Sequence, residues 1–173
     1  MKIGIISDTH NRPTGIDGAF KVFEEAGIEL IIHCGDWARP ETAAYFSNMA
    51  RAKNIPVKGV LGNNDKEVAA FLALSRPGFE LSEGVISLLI GGKDIRVYHG
   101  HHQPSLRKLL LEDTDVLCLG HSHKPRYDRI DDKVILNPGS TAFAIPRSKS
   151  WRASVAIYDT NAHEAEFAYF APV

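Results

Sequence analysis

Apolar runs alternate with polar clusters along the whole chain, and each cluster begins where an apolar run stops. Ile3-Gly4-Ile5-Ile6, Leu30-Ile31-Ile32, Ile55-Pro56-Val57 through Leu61, Ile95-Arg96-Val97 and Val116-Leu117-Cys118-Leu119 are short and β-branched, as buried strands are. Between the first two, Ile16, Phe20, Val22 and Phe23 lie largely on one side of a helix near 15–26, and Gly27 is placed to end it. The first half thus predicts strand 2–7, helix 15–26, strand 28–34, helix 40–53, strand 55–61 and helix 65–75. That βαβαβα order requires a parallel sheet.

The second half changes character. Val85 to Ile90 and Ile95 to Val97 flank Gly91-Gly92, and Tyr127 to Ile130 and Val134 to Leu136 flank Asp131-Asp132. Both read as hairpins. A helix at 104–112 precedes the strand at 115–119, and Ser154 to Tyr158 with Glu166 to Phe170 form a last strand pair. The order fits an α/β fold in which two mixed sheets face each other with helices outside.

A length of 173 residues with 44% hydrophobic content suits one domain over 1–173, large enough to bury a core unaided. A formal net charge of -1 gives no global footprint for long nucleic acid, which needs a basic face to displace counterions. Locally, residues 124–152 carry seven Lys or Arg against three Asp, a surplus of four that fits either a small anion or a solvated face. Cys34 and Cys118 each sit in an apolar strand, as reduced packing residues do. Met1-Lys2 runs straight into the first strand and no apolar run approaches the ~20 residues of a membrane span. A cytoplasmic protein with no membrane association is expected.

The polar clusters carry the chemistry: Asp8-Thr9-His10, Gly35-Asp36, Gly62-Asn63-Asn64-Asp65, Tyr98-His99-Gly100-His101 and Gly120-His121-Ser122-His123. One sheet edge therefore collects metal-ligand residue types. In an extended segment the side chains at i and i+2 point the same way, so Asp8 with His10, and His121 with His123, could each reach one ion. Imidazole with carboxylate favours Zn, Mn, Fe, Co or Ni over Ca or Mg. Any one such triplet is weak evidence, since most are solvated loops. Five of them at five strand ends are a pattern.

The ordered set D-x-H, G-D, G-N-x-D, H-G-H and G-H-x-H resembles the calcineurin-like metallophosphoesterases over residues 1 to about 140. Leu136-Asn137-Pro138-Gly139-Ser140 followed by Pro146-Arg147 looks most like their small YfcE-type phosphodiesterase branch. The resemblance implies a four-layer αββα sandwich with two mixed β-sheets flanked by helices. It also implies two divalent metal ions, Mn first among Ni, Fe, Zn and Co. Asp8, His10 and His123 would hold one ion, Asn63, His99 and His121 the other, and Asp36 would bridge them. The implied reaction is hydrolysis of small phosphoesters by a metal-bridging hydroxide, with no protein nucleophile.

Asn64 departs from the pattern of many relatives, which carry a histidine there as proton donor. An amide can contact phosphate but cannot act as a general acid, and His101 or His102 could substitute. Asn11 and Arg147 are candidate substrate contacts, though Asn11 also suits a turn and Arg147 a surface ion pair. His33, in an apolar strand, is read as a hydrogen-bonded core residue, and His163 as exposed. Two other classes stay open: a phosphomonoesterase or nucleotide phosphatase on the same site, and a noncatalytic scaffold like the retromer subunit that resembles the family. The apolar C-terminal strands and the resemblance fit a homodimer or homotetramer.

Overall fold

The computed structural model describes residues 1–142 and 152–171. The first half is built from β1 (Lys2–Ile6), α1 (Pro13–Ala26), β2 (Leu30–His33), α2 (Pro40–Ala52), β3 (Val57–Val60), α3 (Val68–Leu72) and β4 (Phe79–Ser82). It is followed by β5 (Ile86–Ile90), β6 (Lys93–Val97), α4 (Gln103–Leu111), β7 (Val116–Cys118), β8 (Pro125–Ile130), β9 (Lys133–Pro138), β10 (Ala153–Asp159) and β11 (Glu164–Phe170). One sheet has the order β11-β10-β1-β2-β3-β4 and the other β5-β6-β7-β9-β8. β1 to β4 run parallel, while β10 joins β1 antiparallel. In the second sheet β6, β7 and β9 are parallel, and β5 and β8 complete the hairpins.

Alternation along the strands sorts side chains into layers. Ile3, Ile5, Leu30 and Ile32 face Ile95, Val97, Val116 and Val134 between the sheets. The opposite face of the first sheet packs Ile6, Ile31 and Val57 against Ile16, Phe20 and Phe23 of α1 and Phe46 of α2. Gly4 lies on that face, where a Cβ would stand 2.7 Å from the Phe23 ring. The outer face of the second sheet covers Leu117 and Ile135 with Leu109 of α4. The result is the four-layer αββα sandwich. Among the described residues no helix is long and apolar enough to cross a membrane.

Two elements differ from expectation. The helix expected over 65–75 spans only Val68–Leu72, because Asp65 is held in the preceding loop by backbone donors. The unforeseen β4 follows: Phe79 and Leu81 are buried and Glu80 is exposed, a strand alternation too short to register as a sequence signal. His163, expected in the open, is half-buried: its ring lies 2.7 Å from both the Tyr158 hydroxyl and the Asp132 carbonyl. It ties the β10–β11 turn to the β8–β9 turn. Both cysteines are free and buried.

Candidate metal centre

Five strands deliver their polar clusters to one edge, at the carboxyl ends of β1, β2 and β3 in one sheet and β6 and β7 in the other. The loops that follow are stitched together by backbone hydrogen bonds. Asp8 N–H donates to Gly35 O (2.9 Å), His10 N–H to Asp36 O (3.1 Å) and Gly120 N–H to His99 O (3.0 Å).

Side-chain convergence does not come from extended backbone. Asp8 (φ 55°), His10 (φ 40°), Asp36 (φ 61°), His121 (φ 67°) and His123 (φ 57°) all occupy the left-handed region, which costs a non-glycine residue roughly 1–2 kcal/mol. The expectation that i and i+2 share a side because the segment is extended is therefore corrected: Asp8 and His10 do share one group, but from left-handed backbone. His121 and His123 in fact turn to different neighbours: the His121 ring lies 5.2 Å from the His99 ring, and the His123 ring 5.0 Å from that of His10.

Asp8, His10, Asp36 and His123 form one tight group whose ligand atoms all lie within 4.8 Å of one another. His10 Nε2 is 3.1 Å from His123 Nε2, 3.5 Å from Asp8 Oδ1 and 3.6 Å from Asp36 Oδ2. The two oxygens of Asp8 are unlike each other. Oδ2 accepts from the Ser7 hydroxyl (2.6 Å) and the His121 N–H (3.0 Å), whereas the neighbours of Oδ1 are imidazole nitrogens, His123 Nε2 at 3.0 Å and His10 Nε2 at 3.5 Å. Two carboxylates and two imidazoles converging on one point are the donor set of a first-row divalent ion, so the residues fit one. Burial works to raise the Asp8 pKa, but the neighbouring His10 and His123 imidazoles, with His99 and Ser7, together hold the carboxyl far below its usual range.

The second group adjoins the first through Asp36. His99 Nε2 lies 3.1 Å from Asn63 Oδ1 and 3.4 Å from Asp36 Oδ2. His99 Nδ1 sits 2.8 Å from the Cys34 carbonyl, an acceptor that takes the Nδ1 proton and turns Nε2 to the site. Burial works to lower the His99 pKa, but the Asp36 bond and the Asp36 and Asp8 charges raise it. Burial alone would lift the Asp36 pKa, yet the bond and charge of His99 and two donors from Asn64 bring it down to about 2. Gly62 is required here, because a Cβ at that position would stand 2.2 Å from Asp36 Oδ1.

Asn64, expected to contact phosphate, donates its N–H to Asp36 Oδ1 (2.9 Å) and one hydrogen of its amide to Asp36 Oδ2 (2.6 Å), and the exposed NH2 carries a second hydrogen. Asn11 is anchored too, its Oδ1 accepting from the Thr42 hydroxyl (3.0 Å). The His101 ring is 5.6 Å from that of His99, whereas His102 bonds Ser105 in the first turn of α4. His33 is fully buried and stacked on Trp37, accepting the Gly35 N–H at Nδ1 and meeting the Thr9 hydroxyl at Nε2. Burial keeps it neutral, with its pKa lowered to about 3. Arg147 lies outside the described residues.

Two braces carried no individual role in the sequence reading. The buried Asp65 carboxylate accepts three backbone N–H groups, from Asp36 (3.0 Å), Ala38 (2.7 Å) and Gly62 (2.7 Å). It locks the Asp36 loop to the Asn63 loop. Asn137 donates to Gly120 O (2.6 Å) and lies 3.1 Å from the Ser122 hydroxyl, and the Ser140 hydroxyl donates to Asp8 O (2.8 Å). The only sequence signals for these were the G-N-x-D and Asn-Pro-Gly-Ser motifs.

A two-sheet sandwich with carboxylate, amide and imidazole donors gathered at one edge defines a metallohydrolase. The chain belongs to the calcineurin-like phosphoesterase superfamily, whose domain matches residues 1–163, and is a phosphoester hydrolase. It is 32% identical to phosphodiesterase MJ0936 of Methanocaldococcus jannaschii over 142 residues, 80% of this chain and 83% of that protein. Among solved structures, an archaeal phosphodiesterase superposes with TM-score 0.84 at 28% identity, covering 98% of this chain and 100% of its own. YfcE of Escherichia coli has TM-score 0.70 at 22% identity, with both chains fully covered, a likeness of fold alone.

Proposed function

We infer that this protein is a metal-dependent phosphodiesterase acting on small phosphoesters at a dinuclear centre. Asp8, His10 and His123 would hold one ion, Asn63, His99 and His121 the other. The observation that carries the reading is Asp36, whose Oδ2 lies 3.6 Å from His10 Nε2 and 3.4 Å from His99 Nε2 and so faces both groups. When bound, two divalent ions supply Lewis-acid charge at the phosphoryl oxygens and acidify water. The chain's own part is positioning: Asn64 and Asp65 orient the shared carboxylate, and the Cys34 carbonyl fixes the His99 tautomer. That MJ0936 and YfcE are phosphodiesterases supports a diester as the substrate.

The test is a metal-by-substrate matrix on chelator-stripped protein. Activity should vanish on stripping and return best with Mn or another first-row ion and poorly with Ca, because four of the seven proposed ligands are imidazoles. Undiminished turnover by metal-free protein overturns the reading. Faster hydrolysis of aryl monoesters than diesters would favour the phosphatase alternative, and no turnover with any ion the scaffold.

Asp65 gives a second expected outcome. In Asp65→Asn an NH2 group must replace one carboxylate oxygen and face a backbone N–H, so the Asp36 and Asn63 loops lose register. Orienting partners of this kind are worth about 10–100-fold in metal affinity. Calorimetric titration with Mn should show that weakening, and unchanged affinity would reduce Asp65 to a packing residue. A cytoplasmic homodimer or homotetramer is part of the same proposal, supported by β11, an edge strand with Tyr169 exposed. Light scattering tests the oligomer.

A further inference from the structure

Next to the metal centre lies a cavity of about 290 Å³ for which the proposed chemistry has no use. Leu61, Val68, Val85 and the Tyr98 ring give it an apolar lining, and His101 and Glu83 are its exposed polar members. It shares walls with the site. Gly62 lines it while standing against Asp36, and Tyr98 and His101 flank the proposed ligand His99. The His101 ring is 5.6 Å from that of His99 and 6.5 Å from that of His121. A substituent on a phosphoryl group held between those imidazoles would enter the cavity past His101.

Size and charge both restrict the occupant. Pockets for drug-sized ligands start at about 300 Å³, so this one suits a single ring. Its described lining holds two carboxylates and no Lys or Arg. Asp65 is already satisfied by three backbone N–H groups, but Glu83 is exposed and would repel a second anion. A neutral ring is accommodated where a further phosphate is not.

We propose that this cavity is the subsite for a neutral, single-ring substituent of the phosphoester, aryl or pyrimidine-sized, and that Val85 and Glu83 set the preference. The proposal rests on the phosphoesterase reading above. It selects diesters of ring-bearing alcohols over polyphosphates.

The test is binding. Calorimetry on Mn-loaded protein compares phenylphosphonate with methylphosphonate, two anions that share a phosphonate group and differ only in the ring. The phenyl compound should bind at least about 10-fold more tightly, the worth of burying a ring. Val85 is 41% exposed, so Val85→Trp can fill the cavity without entering the core. It should bring the ratio close to one and leave methylphosphonate within about twofold of wild type. Glu83→Lys, an independent surface change, should tighten 4-carboxyphenylphosphonate several-fold relative to phenylphosphonate. A wild-type ratio near one, a ratio that survives Val85→Trp, or a Glu83→Lys protein indifferent to the distal carboxylate overturns the subsite. If neither phosphonate binds, the phosphoesterase reading itself falls, and the subsite with it.

Discussion

Asp36→Ala should abolish phosphodiester hydrolysis and leave the fold standing. Removing one preorganised stabilising donor from an active site costs about 10²–10³-fold. Asp36 Oδ2 faces both groups of imidazoles, so a loss at or beyond the top of that range is expected. The structural cost is smaller. Asn64 loses the acceptor for two donors, but Asn64 is exposed and water can replace it. A cost of about 1–3 kcal/mol leaves a domain of ordinary stability, about 5–15 kcal/mol, folded. The check is kcat/KM on an aryl diester at saturating Mn, with a thermal melt and the Mn stoichiometry measured on the same preparation. Asn63→Ala should be nearly as inactive while retaining one ion per chain, since Asn63 neighbours only the His99 group. Near-wild-type turnover by a folded Asp36→Ala protein would remove the dinuclear mechanism.

Much of the fold was legible because burial on both faces leaves a strong trace. β1, β2 and β7 are almost wholly apolar. β4 left no such trace, since Phe79 and Leu81 alternate with polar residues over four positions only. α3 was overestimated because the apolar residues after Asp65 continue a helical pattern, while the loop in front of them is fixed by hydrogen bonds that no periodicity records.

The site was legible as a set of residue types and not as a geometry. Histidines and carboxylates at strand ends announce ligands, but the left-handed backbone at Asp8, His10, Asp36, His121 and His123 has only a weak sequence signature, because Asp and His are enriched there without requiring it as glycine positions do. Strain of this kind, of order 1–3 kcal/mol per residue, persists where surrounding structure over-determines it. Here the surroundings are the hydrogen bonds between loops of neighbouring strands, which exist only once those strands have paired. Asp65 and Ser140 belong to the same class: each contacts a partner loop far along the chain. Spacing could place them near the site but could not assign them a brace.

Asn64→His should change how the rate depends on the leaving group. Asn cannot give up a proton near neutral pH, so the wild-type protein should slow steeply as the leaving group's pKa rises. A positioned general acid is worth about 10²–10⁴-fold, and the deficit should be largest for alkyl esters and smallest for nitrophenyl ones. Histidine at this position should flatten the slope. The structure adds a complication, because the Asn64 amide also holds Asp36 Oδ2 at 2.6 Å and the substitution removes that grip. Asn64→Ala separates the two effects: it should lower every rate by a similar factor and leave the slope steep, since it removes orientation and adds no acid. The series is substituted phenyl and alkyl methyl phosphodiesters, assayed with all three proteins at fixed, saturating Mn under conditions where chemistry limits turnover. Equal slopes in wild type and Asn64→His, with metal occupancy unchanged, would mean that another group supplies the proton or that the step needs none. His101 is then the next residue to replace, because its ring lies 5.6 Å from that of His99, and a slope that steepens only in His101→Ala would identify it.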